Sequence, residues 1–202
     1  MDLNRLLERV KSRQTEIAAR KTSGTKVTKF PPGESRWRIL PGWRKDDREI
    51  YYHDFGQHWI KDANGTVVAV IVSERDTFNR PDPIAEAITA AIRSTKDDIA
   101  LKHLKEMQSK RVVLVNAVCI KGPNADPKTP VLLGLPVTVA DKYHHLLMSR
   151  LQDDGINMLD LANGRDIIVT KTGTGKDTEY EVRDAATNTA VDPSVMDKLV
   201  DI

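Results

Sequence analysis

Hydrophobic and polar residues alternate along much of the chain, and this alternation predicts a series of short β-strands. In a strand at about residues 34–40, Trp37 and Ile39 share one face, while Arg36 and Arg38 share the other. We therefore expect Trp37 in the core and both arginines facing outward. Further strands are predicted at about 49–60, 66–72, 112–120 and 131–139, and a final hairpin at 166–172 and 178–183.

Apolar residues at helical spacing predict helices around these strands. Residues 2–20 carry an apolar stripe with basic residues largely elsewhere, which is typical of an amphipathic helix. Asp82 and Pro83 form a good N-cap and first-turn pair for a second helix. Others are expected after Thr95, over 140–151 and, as a short helix, within 192–202.

These short strands, with turn signals between them and a few helices, favour a mainly β fold with appended helices (α+β), in the form of a small, partly closed β-barrel. We divide the chain into an N-terminal helix and basic arm (1–29), a main domain (30–185) and a short C-terminal tail or helix (186–202). The single cysteine, Cys119, lies in an apolar strand, and no apolar run is long enough to span a membrane. Both features predict a cytoplasmic protein.

Charge is distributed unevenly along the chain. The net charge is only +2, but residues 1–45 hold twelve Lys and Arg against four Asp and Glu. This asymmetry suggests that the N-terminal part engages a polyanion.

Aromatic residues cluster in the same region. Seven of the ten lie between residues 30 and 60, interleaved with Arg and Lys. They are equally suited to the core of a small β-domain and to a surface that stacks bases while its basic residues neutralise phosphates. The candidate DNA-binding residues are Arg36, Arg38, Trp43, Arg44, Lys45, Tyr51, His53, Phe55, Trp59, Arg75, Phe78, Arg80, Lys110 and Arg111.

Other chemistry finds little support in the sequence. One cysteine and five scattered histidines give no familiar zinc spacing. The glycine-rich loop at 173–176 lacks the first glycine of a phosphate loop, and Asp177 stands where Ser or Thr should bind magnesium. We expect no catalysis, metal or cofactor.

Several motifs, in order, resemble the single-stranded-DNA-binding proteins of tailed phages, the group that includes the T-even-phage helix-destabilising protein. The matching pieces are ESRWRILP at 34–41, YYHDFG at 51–56, SKR at 109–111 running into the strand at 112–120, and LLGLP at 132–136. The resemblance implies an OB-fold of five to six strands with a helical insertion, which coats single strands in replication, recombination and repair in the host bacterial cytoplasm. Implied partners are single-stranded DNA, other copies of the protein and replication or recombination proteins.

Three further features bear on that resemblance. Arg20, Lys21, Thr22 and Ser23 are similar to the family's short motif for contact between neighbouring molecules. The family's zinc-binding cysteines are absent, so we expect Ile84, Ile88 and Ile92 to hold the helical insertion by packing instead, with His58 left without its partners. The family's long acidic tail is also missing, which argues against tail-mediated recruitment. An RNA-binding OB module and a recombination-adaptor domain that binds protein remain alternatives.

Overall fold

The computed structural model describes residues 26–62 and 64–202. The predicted helix over 2–20 and the motif at Arg20, Lys21, Thr22 and Ser23 lie outside the described residues. In the described part, the strands are β1 (Gly33–Ile39), β2 (Tyr52–Lys61), β3 (Val67–Val72), β4 (Lys110–Lys121), β5 (Asp126–Pro136), β6 (Ile167–Thr172) and β7 (Glu179–Asp184). The α-helices are α1 (Glu74–Phe78), α2 (Pro83–Ser94), α3 (Asp98–Met107) and α4 (Val137–Asp153).

The seven strands form one open antiparallel sheet, which confirms the predicted mainly β fold with appended helices. Their order is β3-β2-β4-β1-β6-β7, and β5 pairs with β4 away from this path. The long strand β4 is central because its first half pairs with β2 and its second half with β1. The two ends of this order, β3 and β7, are not paired with each other in the described part of the chain. Closure into a barrel and the OB-fold therefore remain predictions.

Helix α4 covers the larger core. Its Val139, Tyr143 and Leu147 pack on Trp37, Val115 and other apolar residues of the sheet. Trp37 is 3% exposed, which confirms its predicted core position. A smaller cluster, built on Leu40, Val118, Val191 and Val195, is completed by the C-terminal segment.

That C-terminal segment is tied to the centre of the sheet by one side chain. The Asn116 amide donates to the carbonyl oxygen of Val200 and accepts from its N–H, both at 2.9 Å. Residues Pro193–Lys198 form a 3-10 helix, and the Asp192 carboxylate accepts from the Ser194 N–H. The short helix predicted within 192–202 is therefore present in the tighter 3-10 form.

Helix α2 begins as the sequence predicts. The Asp82 carboxylate accepts a hydrogen bond from the Ala85 N–H at 2.9 Å, and Pro83 occupies the first turn. The cap of α3 is Asp97, whose carboxylate accepts from the N–H groups of Ile99 and Ala100, so this helix starts a few residues after Thr95.

Strand β5 departs from prediction at both ends. It begins at Asp126 within the predicted loop, and it ends at Pro136 because α4 starts at Val137. Residues Pro127 and Pro130 lie in a strand whose ladder partner is β4, and Pro without an N–H is tolerated at such an edge. Thr28 forms an isolated parallel bridge with Leu133 on this strand.

Candidate nucleic-acid interface

Strand β2, helix α1 and the start of β4 enclose a groove of about 730 Å³. We call it the basic groove, because three arginines lie among its lining residues: His53, Asp54, Arg75, Asp76, Thr77, Phe78, Asn79, Arg80 and Arg111. Five of the predicted site residues thus come together: His53, Arg75, Phe78, Arg80 and Arg111.

Local sequence explains why α1 is short and why Phe78 is presented at its end. The Ser73 hydroxyl caps the helix by accepting from the Asp76 N–H at 3.2 Å. Asn79 ends it in the left-handed conformation, with φ of 53°, and its N–H donates to the Arg75 carbonyl oxygen. The chain therefore turns sharply immediately after Phe78.

The Phe78 ring has a cation and an imidazole as neighbours. It is 49% exposed, the Arg80 guanidinium lies 5.4 Å from its centroid, and the His53 ring centroid lies 6.5 Å away. An exposed ring beside cations can stack on a base while the cations contact the adjacent phosphates.

Gly56 allows α1 to lie close to β2. A Cβ at this position would stand 2.6 Å from the Asp76 Cβ and 2.7 Å from the Ser109 Oγ. The backbone of Gly56 also anchors the helix, since its N–H donates to the Thr77 hydroxyl and its carbonyl accepts from the Ser73 N–H. The narrow spacing of strand and helix, and with it the groove, depends on this glycine.

One face of β2 continues from the basic groove as a partly exposed apolar surface. Cross-strand partners share a face, so His53, Phe55 and Trp59 lie with residues of β4 and β3. We call this surface the open face: His53, Phe55, Gln57, Trp59, Val70, Val72, Lys110 and Val112. Trp59 is 37% exposed, while α1 and α3 contact the opposite face at Gly56 and His58.

The prediction that Arg36 and Arg38 face outward is wrong for Arg38. Its side chain is fully buried, and its Nε donates to the Asp166 carboxylate at 2.8 Å. Its remaining donors bind the carbonyl oxygens of Asp160, Gly164 and Thr189. Alternation fails here because residues after α4 cover this face of β1 and supply both a counter-charge and acceptors.

Arg36 is only partly exposed and is engaged by the same carboxylate. Its Nε donates to the second oxygen of Asp166, so the two arginines share one acid. This arrangement gives both residues a structural position at the centre of the domain, apart from the basic groove.

Tyr51, a predicted stacking residue, is buried. It is 7% exposed and packs edge-on against Tyr143 at 6.1 Å. Burial, with a smaller contribution from Tyr52, raises the pKa of the Tyr51 hydroxyl well above its ordinary value. Its neighbour Tyr52 was not among the predicted site residues. Tyr52 is 40% exposed, and its ring centroid lies 5.4 Å from that of His144.

Trp43, Arg44 and Lys45 belong to the loop between β1 and β2 rather than to the lining of the basic groove. The Arg44 guanidinium lies 5.8 Å from the Trp43 ring centroid. Nearby in this loop, Arg48 and Glu49 line a separate groove against the C-terminal part of α4. The structure does not bring these three residues together with Phe78.

A buried hydrogen-bond cluster holds the helical insertion. The Ser73 hydroxyl donates to the Asp82 carboxylate at 2.6 Å, and the His58 Nε2 lies 3.1 Å from the same oxygen. The His58 Nδ1 lies 3.1 Å from the Met107 carbonyl oxygen, so both ring nitrogens face acceptors. His58 thus links α2 to α3, in addition to the predicted packing, in which Ile88 is buried and Ile84 and Ile92 are half-buried.

Asp82 is the charged centre of this cluster. Burial alone would raise its pKa, but hydrogen bonds from Ser73, the Ala85 N–H and His58 outweigh that effect and hold the pKa well below its usual range. Across residues 26–62 and 64–202, no group of three or more His, Cys, Asp or Glu is placed to hold a metal ion.

A family model described as "gp32 DNA binding protein like" matches residues 32–202. The chain belongs to this family of DNA-binding proteins. The match confirms the resemblance found in the sequence, and it spans the basic groove, the open face and the C-terminal segment.

No individual curated protein matches the chain. Among the helices of the described part of the chain, none combines the length and apolar character needed to cross a bilayer.

The sequence did not predict Tyr52, Asp54, Asp76 or His144 as site residues, and the reasons can be identified. His144 comes from α4, far along the chain, and its ring lies beside those of Tyr51 and Tyr52, outside the lining of the basic groove. Asp54 and Asp76 carry the charge opposite to the one sought in a polyanion site. Tyr52 is exposed although Gly56 and His58, which share its face of β2 by alternation, are buried, so the strand pattern gave no signal for its exposure.

Proposed function

We propose that the protein binds single-stranded DNA with little sequence preference and coats it during replication, recombination and repair. The observation that carries the proposal is the basic groove, which Arg75, Arg80 and Arg111 line together with the exposed ring of Phe78. Membership in a DNA-binding family supports the choice of ligand.

Exposed rings favour single strands over duplex. A ring can stack only on a base whose face is free, and the bases of a duplex already stack on one another. Phe78 in the groove and Trp59 on the open face are exposed and can act as platforms for bases, while Phe55 on the same face as Trp59 is half-buried. Stacking depends weakly on base identity, so little sequence preference is expected.

Titration with fluorescently labelled oligo(dT) tests this proposal. We expect saturable binding at low salt, a fall in affinity as salt rises, and quenching of tryptophan fluorescence through Trp59. Blunt duplex of the same length and oligo(rU) serve as competitors. No binding at low salt, or equal affinity for duplex, would refute the proposal, and preference for oligo(rU) would favour an RNA-binding module.

We further propose that the N-terminal segment mediates cooperative binding along the strand. The support is the sequence alone: the apolar stripe within 2–20 and the basic residues Arg20 and Lys21. Deleting residues 1–24 should reduce cooperativity on long poly(dT) and leave binding to a short oligonucleotide largely intact. Unchanged cooperativity on the long lattice would refute this role.

A further inference from the structure

The basic groove contains two carboxylates as well as its arginines. The Asp54 carboxylate lies 4.0 Å from an Arg111 guanidinium nitrogen, and the Asp76 carboxylate lies 3.4 Å from the Arg75 Nε. Two of the three groove arginines, Arg75 and Arg111, therefore face an acidic neighbour before DNA binds.

The two acids differ in their surroundings. The Asp76 side chain is 10% exposed and packs close to Gly56. It lies in the first turn of α1, where the helix dipole stabilises a negative charge. The Asp54 side chain is 48% exposed on β2, and its ion-pair partner Arg111 is 52% exposed. Asp76 therefore supports the structure of α1. The Asp54 carboxylate, in contrast, is about half exposed and faces Arg111, a cation that DNA could contact.

Asp54 also acts electrostatically on His144, a residue of α4 outside the groove lining. Burial lowers the pKa of His144, and the charges of Asp141 and Asp54 oppose that effect. The His144 ring lies beside the exposed Tyr52. The field of Asp54 therefore reaches both the cation and the aromatic pair that a strand following β2 would meet.

We propose that Asp54 is a built-in competitor for the DNA phosphate at Arg111. This inference rests on the proposed function. A phosphate that approaches Arg111 shares the guanidinium with the carboxylate or displaces it, and it experiences repulsion from Asp54 in either case. The affinity is consequently lower than the arginines alone would give, and the bound strand dissociates faster.

Replacing the charge while keeping the shape tests this role. Asp54→Asn should tighten binding of oligo(dT) by about threefold to tenfold, from removal of repulsion between unit charges about 6 Å apart in a largely aqueous groove. Most of the gain should appear as slower dissociation. In an Arg111→Gln background the same substitution should give a clearly smaller gain, because the contested cation is gone.

A remote acid provides the matched control. Glu179→Gln removes one exposed negative charge on β7, at the opposite end of the sheet path from β3. It should leave the affinity within about twofold of wild type, since salt screens charges beyond roughly 10 Å. Equal tightening by both substitutions would overturn the inference, because net charge would then explain the effect.

The outcomes separate this inference from the proposed function. If the wild-type protein does not bind oligo(dT), the proposed function fails. If it binds, and Asp54→Asn binds equally or more weakly with a wild-type thermal unfolding curve, Asp54 is no competitor. Asp54→Ser, which also removes the charge, repeats the test should the asparagine variant fold poorly.

Discussion

Replacing Phe78 with alanine removes an exposed ring from the basic groove while leaving its charges in place. The side chain is 49% exposed at the end of α1, so its removal opens no internal cavity. We expect the free energy of unfolding to change by no more than about 0.5 kcal/mol, as for most surface substitutions. A loss of binding can then be assigned to the groove.

The size of the expected loss follows from the contacts of the ring. One stacked base contributes about 1 to 3 kcal/mol. At about 1.4 kcal/mol per tenfold change, this corresponds to a loss of about fivefold to more than a hundredfold in affinity. The Arg80 guanidinium, 5.4 Å from the ring centroid, also loses its platform, which favours the upper half of that range.

The assay is fluorescence anisotropy of labelled oligo(dT) at several salt concentrations. Because no charge is removed, the dissociation constant should rise by the same factor at every salt concentration, with an unchanged slope. Met148→Ala on α4 is a matched control, since Met148 is also 49% exposed and lies outside the groove lining. Wild-type affinity in Phe78→Ala, or an equal loss in Met148→Ala, would refute the assignment of Phe78 as a stacking platform.

The remaining predictions test the groove and its support. Arg111→Gln should reduce the slope of log affinity against log salt by about 0.7, and an unchanged slope would exclude a phosphate contact. Arg38→Met leaves a buried carboxylate short of one cation and should cost about 3 to 5 kcal/mol in urea unfolding; wild-type stability would contradict the buried pair. Gly56→Ala should cost about 1 to 3 kcal/mol and weaken oligo(dT) binding by displacing α1, and unchanged binding would refute the dependence of the groove on this glycine. Asp82→Asn should cost about 1 to 3 kcal/mol at pH 7. Because the folded state lowers the pKa of Asp82, that cost is fully present above the unfolded value of about 3.9 and shrinks as pH falls below it; a cost that does not change between pH 7 and pH 3 would contradict this role.

The sequence by itself determined the strand series, the helix starts with strong caps and the family. Alternation is a local property, so Trp37 could be assigned to the core and β1 placed to within a residue or two. Asp82 and Pro83 act on the backbone immediately after them, which is why the start of α2 was predictable. The order of short motifs along the chain can be read without any knowledge of contacts. The family match confirms the resemblance that these motifs indicated.

Only the tertiary structure decided which charged and aromatic residues face solvent. Arg38 is buried because Asp166, more than a hundred residues later, supplies its counter-charge, and no local pattern contains that information. Tyr51 and Tyr52 are neighbours of one residue type, yet α4 covers the first and leaves the second partly exposed. Exposure depends on what packs against a strand from elsewhere in the chain, so the groove emerged only once α1, β2 and β4 had been placed together.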